Sequence, residues 1–191
     1  MAEILTFIRH TKTVAQPGIC YGQADIDLAP TCHDEMNVVL EKIKHLQPQF
    51  MVSSPLLRCT KLASFLEKHI ELSFQVDERI KEVSFGEWEL KPWDEINQPK
   101  LFEWTKAYED TPPPGGESFN MLLNRFDSFW NEIWQNEAKE VFLITHDGIL
   151  RSALVKALKL TSRQVFSFNL SYATIIRIKR IESDFYSIQI L

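Results

Sequence analysis

Two continuous runs of apolar residues, Ile4–Ile8 and Val141–Thr145, stand out along the chain. A run without alternating polar positions is expected of a strand that is buried on both faces. Shorter runs at Gln49–Ser53 and Ser73–Val76 predict two further strands. The pattern therefore predicts a sheet that is covered on both sides.

Between these strands, apolar residues recur at the three- and four-residue spacing of helices. Ser54 and Pro55 predict the N-cap and the first residue of a helix that runs to about Lys68. The other predicted helices span Pro30–Leu46, Ser118 to about Glu137, and about Ile149 to Leu158.

The chain ends with two predicted strands, Tyr172–Ile178 and Phe185–Ile190, which would form an antiparallel pair across the polar turn 179–184. Strands that alternate with helices predict an α/β fold. We expect a three-layer α/β/α sandwich with a mostly parallel central sheet. The length predicts one domain over residues 1–191.

Residues 83–114 differ from the rest of the chain. They contain Trp88, Trp93, Trp104 and a run of three prolines, and they show no clean strand pattern. We interpret this segment as a helical lid that is inserted into the domain. Its tryptophans could form aromatic walls for a flat ligand, although packing in a core is the more common use.

The charge balance limits the partners. The chain has 21 Lys and Arg against 26 Asp and Glu, a formal charge of −5, which disfavours nucleic acid. Three cysteines without a C-x-x-C spacing predict reduced thiols and a cytoplasmic protein. The sequence shows no signal peptide and no apolar stretch of about 18 residues, so we expect no membrane partner.

Reactive side chains follow three of the predicted strands. Arg9 and His10 follow the first strand, Arg58 comes shortly after the second, and His146 follows Val141–Thr145. Ligands bind beyond the carboxyl ends of parallel strands, so these residues are expected to converge. A bound phosphate would compensate the charge of Arg58 at a helix start. Considered singly, a solvated surface arginine or a structural histidine explains each residue as well.

The tripeptide Arg9-His10-Thr11 resembles the Arg-His-Gly or Arg-His-Thr signature of the histidine phosphatase superfamily, also called the phosphoglycerate mutase-like family. Four later segments resemble further blocks of that family in the same order. They are Ser53–Cys59, Ile80–Glu89, Gly115–Ser118 and Val141–Gly148. The resemblance covers most of the chain and implies the phosphoglycerate mutase-like fold.

The same resemblance implies a role for each matching residue. His10 would attack phosphorus and become a phosphohistidine, while Arg9, Arg58 and His146 would hold the phosphoryl oxygens. Glu82 would protonate the leaving oxygen and then activate water. The implied enzyme is a metal-independent phosphomonoesterase without a cofactor. Its partner would be a small phosphorylated metabolite, and a monomer and a homodimer both stay open.

The run Gly18–Leu28 is similar to the G-x-C-Y-G-x-x-D-x-x-L run of bacterial α-ribazole-5'-phosphate phosphatases of cobalamin biosynthesis. This similarity implies substrate-binding positions, namely Thr11, Tyr21, Gly22, Gln23 and Asp147. Asp147 and Leu90 depart from the family, which usually has glycine at both positions. Asp147 would point away or weaken phosphate binding, and Leu90 could change how the lid turns.

Other functions stay open beside an α-ribazole-5'-phosphate phosphatase. A broad-specificity sugar-phosphate phosphatase and a phosphoglycerate mutase-like phosphotransferase use the same residues. A non-catalytic phosphate-binding regulatory protein is a third alternative, in which Asp147 would mark a damaged site. A metal-binding protein would use His10 and His146 with others of the five histidines, namely His33, His45 or His69.

Overall fold

The computed structural model describes all residues from 1 to 191. The strands are β1 (Ile4–Arg9), β2 (Phe50–Ser53), β3 (Gln75–Val76), β4 (Glu140–Thr145), β5 (Ile175–Glu182) and β6 (Phe185–Ile190). The helices are α1 (Cys32–Ile43), α2 (Leu57–Ile70), α3 (Gln98–Ala107), α4 (Phe119–Ile133), α5 (Asp147–Leu158) and α6 (Ser162–Val165). Two 3₁₀ helices lie at Glu78–Ile80 and Gly86–Trp88.

The six strands form one sheet in the order β3-β2-β4-β1-β5-β6. Strands β1 to β4 run parallel to one another, and β5 and β6 are antiparallel. Adjacent residues of β1 face opposite layers: Phe7 packs with α4 and α5, and Ile8 packs with α1 and α2. The continuous apolar strands thus arise because both faces of the sheet are covered. The predicted α/β sandwich with a mostly parallel sheet is confirmed.

The predicted N-cap at Ser54 is wrong. Helix α2 begins at Leu57, after an extended Leu56. The Ser54 backbone N–H still donates to the Ile144 carbonyl at 2.9 Å, as in a strand ladder. Ser54 therefore belongs to the end of β2, and the chain needs two more residues to leave the sheet before the helix starts.

Several other boundaries differ from the prediction, including the end of α4 at Ile133 rather than about Glu137 and the start of β3 at Gln75 rather than Ser73. Helix α1 is shorter at both ends than Pro30–Leu46. Strand β5 begins at Ile175 rather than Tyr172, because Ala173 adopts a left-handed conformation with φ 60° that interrupts an extended chain. Tyr172 consequently lies in a loop before the strand.

Residues 83–114 contain α3 and one 3₁₀ helix. Their aromatic side chains pack around a small cluster of buried residues, Cys20, Trp88 and Ile96. Cys20 belongs to the loop after β1, and the Leu90 N–H donates to its carbonyl. The segment is thus attached to the loop that follows β1.

Candidate active site

His10 and His146 lie side by side at the carboxyl edge of the sheet. His10 follows β1 and His146 follows β4, and these parallel neighbours align Arg9 with Thr145. The two imidazole rings meet edge to face with centroids 5.2 Å apart. Both residues are buried, with exposures of 1% and 0%. The sheet register alone therefore brings the two histidines together.

His10 is held in one defined tautomer. Its Nδ1 lies 2.8 Å from the backbone carbonyl oxygen of Thr11, which can only accept, so Nδ1 carries the proton. Burial and then the positive charge of Arg58 lower the pKa of His10 well below its ordinary value of 6.5. The ring is neutral at neutral pH, and Nε2 keeps its lone pair. A neutral Nε2 in a fixed orientation can act as a nucleophile.

His146 contacts one residue directly after β2 and one in the first turn of α2. Its Nε2 lies 2.7 Å from the Ser54 hydroxyl and 3.4 Å from the Cys59 thiol. Burial, followed by the charge of Arg58, lowers the pKa of His146 well below its ordinary value. Ser54 thus fixes the ring of His146 instead of capping a helix.

Arg58 lies at the start of α2 and is completely buried. Its two terminal nitrogens donate to the backbone carbonyls of Gly22 at 2.6 Å and Ala24 at 2.9 Å. Its Nε is buried without a hydrogen-bond partner, and the guanidinium stacks on Tyr21 at 5.2 Å. A buried cation with an unused donor is suited to an anion.

Arg9 is the last residue of β1 and is the second arginine of the site. It donates to the carbonyl of Leu170, approaches the Asp147 carboxylate at 3.5 Å and stacks on Tyr172 at 4.7 Å. Its Nε is also buried without a partner. The hydroxyls of Tyr21 and Tyr172 lie 3.0 Å apart, so one tyrosine pair contacts both arginines.

Glu82 lies against the N-terminus of α5. Its Oε1 accepts from the backbone N–H of Gly148 at 3.1 Å and of Val83 at 2.9 Å. A Cβ at Gly148 would lie 2.4 Å from this oxygen, so a larger residue there would displace the Glu82 carboxyl. Burial raises the pKa of Glu82, and the charge of Asp147 raises it further. The hydrogen bond from the Val83 N–H and the charge of Arg58 lower the pKa by a smaller amount. The site therefore favours a carboxyl that can hold a proton.

Arg125 on α4 holds the backbone around Glu82. It donates to the carbonyls of Arg79 at 2.8 Å, Lys81 at 3.0 Å and Glu82 at 3.1 Å. It also forms hydrogen bonds of 2.9 and 2.8 Å with the Glu117 carboxylate. The two terminal nitrogens of its guanidinium thus fix the segment that carries Glu82, and Nε donates to Glu117.

A cavity of about 430 Å³ opens beside these groups. Arg9 and Glu82 line it, whereas His10, Arg58 and His146 are not part of its lining. Seven of its 17 lining residues are aromatic, namely Tyr21, Phe85, Trp93, Trp104, Tyr108, Phe119 and Phe166. Trp93 and Trp104 also pack against the small buried cluster of Cys20, Trp88 and Ile96, so they belong to that cluster as well as to the cavity wall.

The residues predicted to bind substrate fall into two groups. Tyr21, Gly22 and Asp147 line the cavity, and Thr11 and Gln23 do not. The Gln23 amide donates to the Glu82 carbonyl at 2.9 Å, so it supports the Glu82 segment. The Thr11 side chain is completely buried beside the histidines.

Leu90 and Asp147 stand where the family usually has glycine, and the structure shows how each is accommodated. Leu90 adopts φ 65°, the left-handed conformation that a glycine would favour, so the turn is kept despite the side chain. Asp147 does not point away from the site. Its carboxylate faces Arg9 and forms hydrogen bonds of 2.7 and 3.2 Å with Arg151.

The remaining histidines lie elsewhere. His33, His45 and His69 are exposed, and His33 and His69 flank Phe65. The structure groups no three His, Cys, Asp or Glu side chains in a way that could hold a metal.

None of the helices combines the length and the hydrophobicity needed to span a membrane.

Several site residues were missed by the sequence reasoning. Glu117 and Arg125 are eight positions apart, beyond the three- or four-residue spacing at which helix side chains meet, so the sequence carries no local signal for their ion pair. Tyr172 lies in a predicted strand, where an aromatic residue is ordinary. Its contact with Arg9 depends on the loop and carries no local signal.

Comparison with known proteins agrees with this geometry. The family model described as histidine phosphatase superfamily (branch 1) matches residues 5–189. A Hydrogenobacter thermophilus protein, whose name proposes phosphoserine phosphatase activity, is 26% identical over 78% of this chain and 75% of its own length. The adenosylcobalamin/alpha-ribazole phosphatase of Escherichia coli is 20% identical over 86% of this chain and 83% of its own length.

The fold is shared with solved structures. A mycobacterial glucosyl-3-phosphoglycerate phosphatase superposes with a TM-score of 0.85 at 21% identity, covering 100% of this chain and 97% of that one. The names of these three proteins give three different substrates.

Proposed function

The chain belongs to the histidine phosphatase superfamily and is a phosphoric monoester hydrolase, and we propose that it acts through a phosphohistidine on Nε2 of His10. The observation that carries this proposal is the hydrogen bond of 2.8 Å between His10 Nδ1 and the Thr11 carbonyl. It leaves Nε2 as the free nucleophilic nitrogen of a neutral ring.

In the first step, Nε2 of His10 attacks phosphorus and the ester P–O bond breaks. The proton of Glu82 passes to the leaving oxygen, which departs as an alcohol. In the second step, Glu82 takes a proton from water, the water oxygen attacks phosphorus and the P–N bond breaks. Inorganic phosphate leaves, and both residues return to their starting forms.

Arg9, Arg58 and His146 hold the oxygens of the transferring phosphoryl group. Charge spreads over these oxygens in the transition state, so fixed cations and donors provide most of the stabilisation. The unpartnered Nε atoms of both arginines support this role. No step requires a metal or a cofactor.

Substrate binding has to open the site. The ring of His10 is 1% exposed and lies 5.7 Å from the ring of Tyr172. Tyr172 and Tyr21 stack on the two arginines. We therefore expect the contact between the tyrosine hydroxyls to break when an ester reaches His10.

The substrate that we propose is α-ribazole 5'-phosphate, in cobalamin biosynthesis. The aromatic walls are suited to a flat leaving group, and the Escherichia coli relative carries that activity in its name. Residues 83–114 provide Phe85, Trp93, Trp104 and Tyr108 to this wall, which supports the interpretation as a lid. A sugar-phosphate phosphatase is the second candidate, because the glucosyl-3-phosphoglycerate phosphatase shares the fold.

Phosphate release with chelator present tests this proposal on four substrates. They are α-ribazole 5'-phosphate, 3-phosphoglycerate, fructose 2,6-bisphosphate and p-nitrophenyl phosphate. We expect the largest kcat/KM on the first. Activity on the aryl ester alone would reject α-ribazole 5'-phosphate as the substrate but would still show a phosphatase. Isomerised phosphoglycerate as the product would indicate a phosphotransferase. No phosphate release from any of the four would favour a regulatory protein.

A further inference from the structure

Asp147 contributes a carboxylate to the cavity where a leaving group would lie. It is the first residue of α5, it lines the cavity, and its side chain is 24% exposed. The start of α5 thus places a carboxylate between Arg9 and Arg151, the two cations of the cavity wall.

The cations of the cavity wall are already occupied. Arg151 donates twice to Asp147, and its Nη1 donates to the carbonyls of Val165 at 2.6 Å and Phe168 at 3.4 Å. Arg9 is shared between the Leu170 carbonyl and Asp147, and it is committed to the phosphoryl group in the proposed mechanism. No lysine lines the cavity.

The other acidic groups of the wall, Glu117 and Glu82, add no free charge. Glu117 is neutralised by Arg125 at 2.8 Å, and Glu82 is the proposed proton donor. The remaining lining residues are mainly aromatic and aliphatic. Once a phosphoryl group is bound, the wall therefore presents apolar surface and the Asp147–Arg151 ion pair, and no free cation, to the leaving group.

We propose that Asp147 is a specificity-determining residue that selects phosphate monoesters with an uncharged leaving group over those with a second anionic group. This inference rests on the proposed function and narrows its substrate class. An anionic leaving group would lose hydration in the cavity and find no free counter-ion, because Asp147 engages the Arg151 guanidinium. A neutral alcohol, nucleoside or aryl group would meet neither penalty.

A matched pair of substrates tests this selection. Racemic glycerol 3-phosphate and racemic 3-phosphoglycerate share the same phosphate ester and differ in a hydroxymethyl group against a carboxylate. The expected kcat/KM ratio favours the glycerol ester by about tenfold or more, the order given by one missing counter-ion in a partly screened site. Because both leaving groups are alkoxides of similar basicity, any effect on proton donation by Glu82 cancels in the ratio.

Three variants test whether the charge of Asp147 causes the difference in kcat/KM between the two esters. Asp147→Asn should bring the ratio to within about threefold of one, and Asp147→Glu, which keeps the charge, should preserve most of the preference. Asp94→Asn removes an exposed carboxylate from residues 83–114 outside the cavity lining, and the ratio should not change. If Asp147→Asn does not fold by circular dichroism, Asp147→Ser replaces it.

The outcomes separate this inference from the proposed function. Wild-type protein that hydrolyses both esters equally, or a neutral variant that keeps the full preference, would overturn the inference and leave the phosphatase intact. Loss of the preference in Asp147→Glu as well would reject the role of charge. Hydrolysis of neither ester nor of p-nitrophenyl phosphate would overturn the proposed function and, with it, this inference.

Discussion

The imidazole rings of His10 and His146 meet edge to face, 5.2 Å apart, at the ends of two hydrogen-bonded parallel strands. Each ring has one nitrogen fixed by a neighbour, the Thr11 carbonyl for His10 and the Ser54 hydroxyl for His146. Burial keeps both rings neutral. A bound dianion changes this balance, because it places negative charge beside both rings.

Anion binding should therefore take up protons. The pKa values of His10 and His146 are lowered in the free protein by burial and by Arg58. A bound dianion raises them again, so the complex binds more protons and affinity should rise as the pH falls. We expect sulfate, whose charge is constant in this range, to bind up to about tenfold more tightly per pH unit between pH 8 and 6. Titration calorimetry in buffers of different ionisation enthalpy measures how many protons are taken up on binding. A sulfate affinity that does not change with pH would contradict this prediction.

Glu82→Gln should affect esters according to their leaving group. An alkoxide needs a proton as it leaves, whereas p-nitrophenolate departs without one. The expected loss in kcat is about 10²- to 10³-fold on glycerol 3-phosphate and less than about tenfold on p-nitrophenyl phosphate. Steady-state kinetics on both esters checks this, and equal losses would reject Glu82 as the acid.

The pH profile should depend on Asp147. Burial and the charge of Asp147 raise the pKa of Glu82 above its ordinary value of 4.5. Because the acid form is the active one, the rate falls as the pH rises through that pKa. Asp147→Asn lowers the pKa, so the alkaline fall in kcat/KM on glycerol 3-phosphate should move to lower pH. The same shift in Asp94→Asn would show that the effect is not local.

Arg125→Met should disturb the position of Glu82. It removes donors to three backbone carbonyls and to the Glu117 carboxylate. We expect a loss of unfolding free energy of about 2 to 4 kcal/mol. We also expect about a tenfold lower kcat on alkyl phosphates with a smaller change on p-nitrophenyl phosphate.

The matched control is Arg163→Met, whose side chain is 71% exposed and lies 3.9 Å from Glu109. This variant should change stability by less than about 1 kcal/mol and leave the kinetics unaltered. If Arg125→Met lowered the rates on both ester types equally, Arg125 would be a general structural residue rather than a positioning residue for Glu82.

The sequence predicted the sheet and its reactive edge because both depend on local signals. The continuous apolar strands β1 and β4 have Arg9, His10 and His146 at their ends, and the strand register then brings these residues together. The family resemblance added Glu82, whose position against α5 has no local signal. Helix boundaries were less accurate where tertiary bonds decided them, as at Ser54.

Other parts of the site depend on long-range contacts that no local pattern shows. Arg125 reaches carbonyls that lie more than forty positions earlier in the chain. Tyr172 stacks on Arg9 only because the chain bends at Ala173. Asp147 was noted as a departure, and only the structure shows that it faces Arg9 and Arg151.

The most direct test of the central claim is to trap the phosphoenzyme. The protein is mixed with a phosphate monoester, quenched in alkali, in which phosphohistidine is stable, and examined by peptide mass spectrometry. We expect an increase of one phosphoryl group on the peptide that contains His10, absent in His10→Ala and still present in the surface variant His69→Ala. Turnover by His10→Ala at the wild-type rate, or phosphate on another residue, would contradict the mechanism.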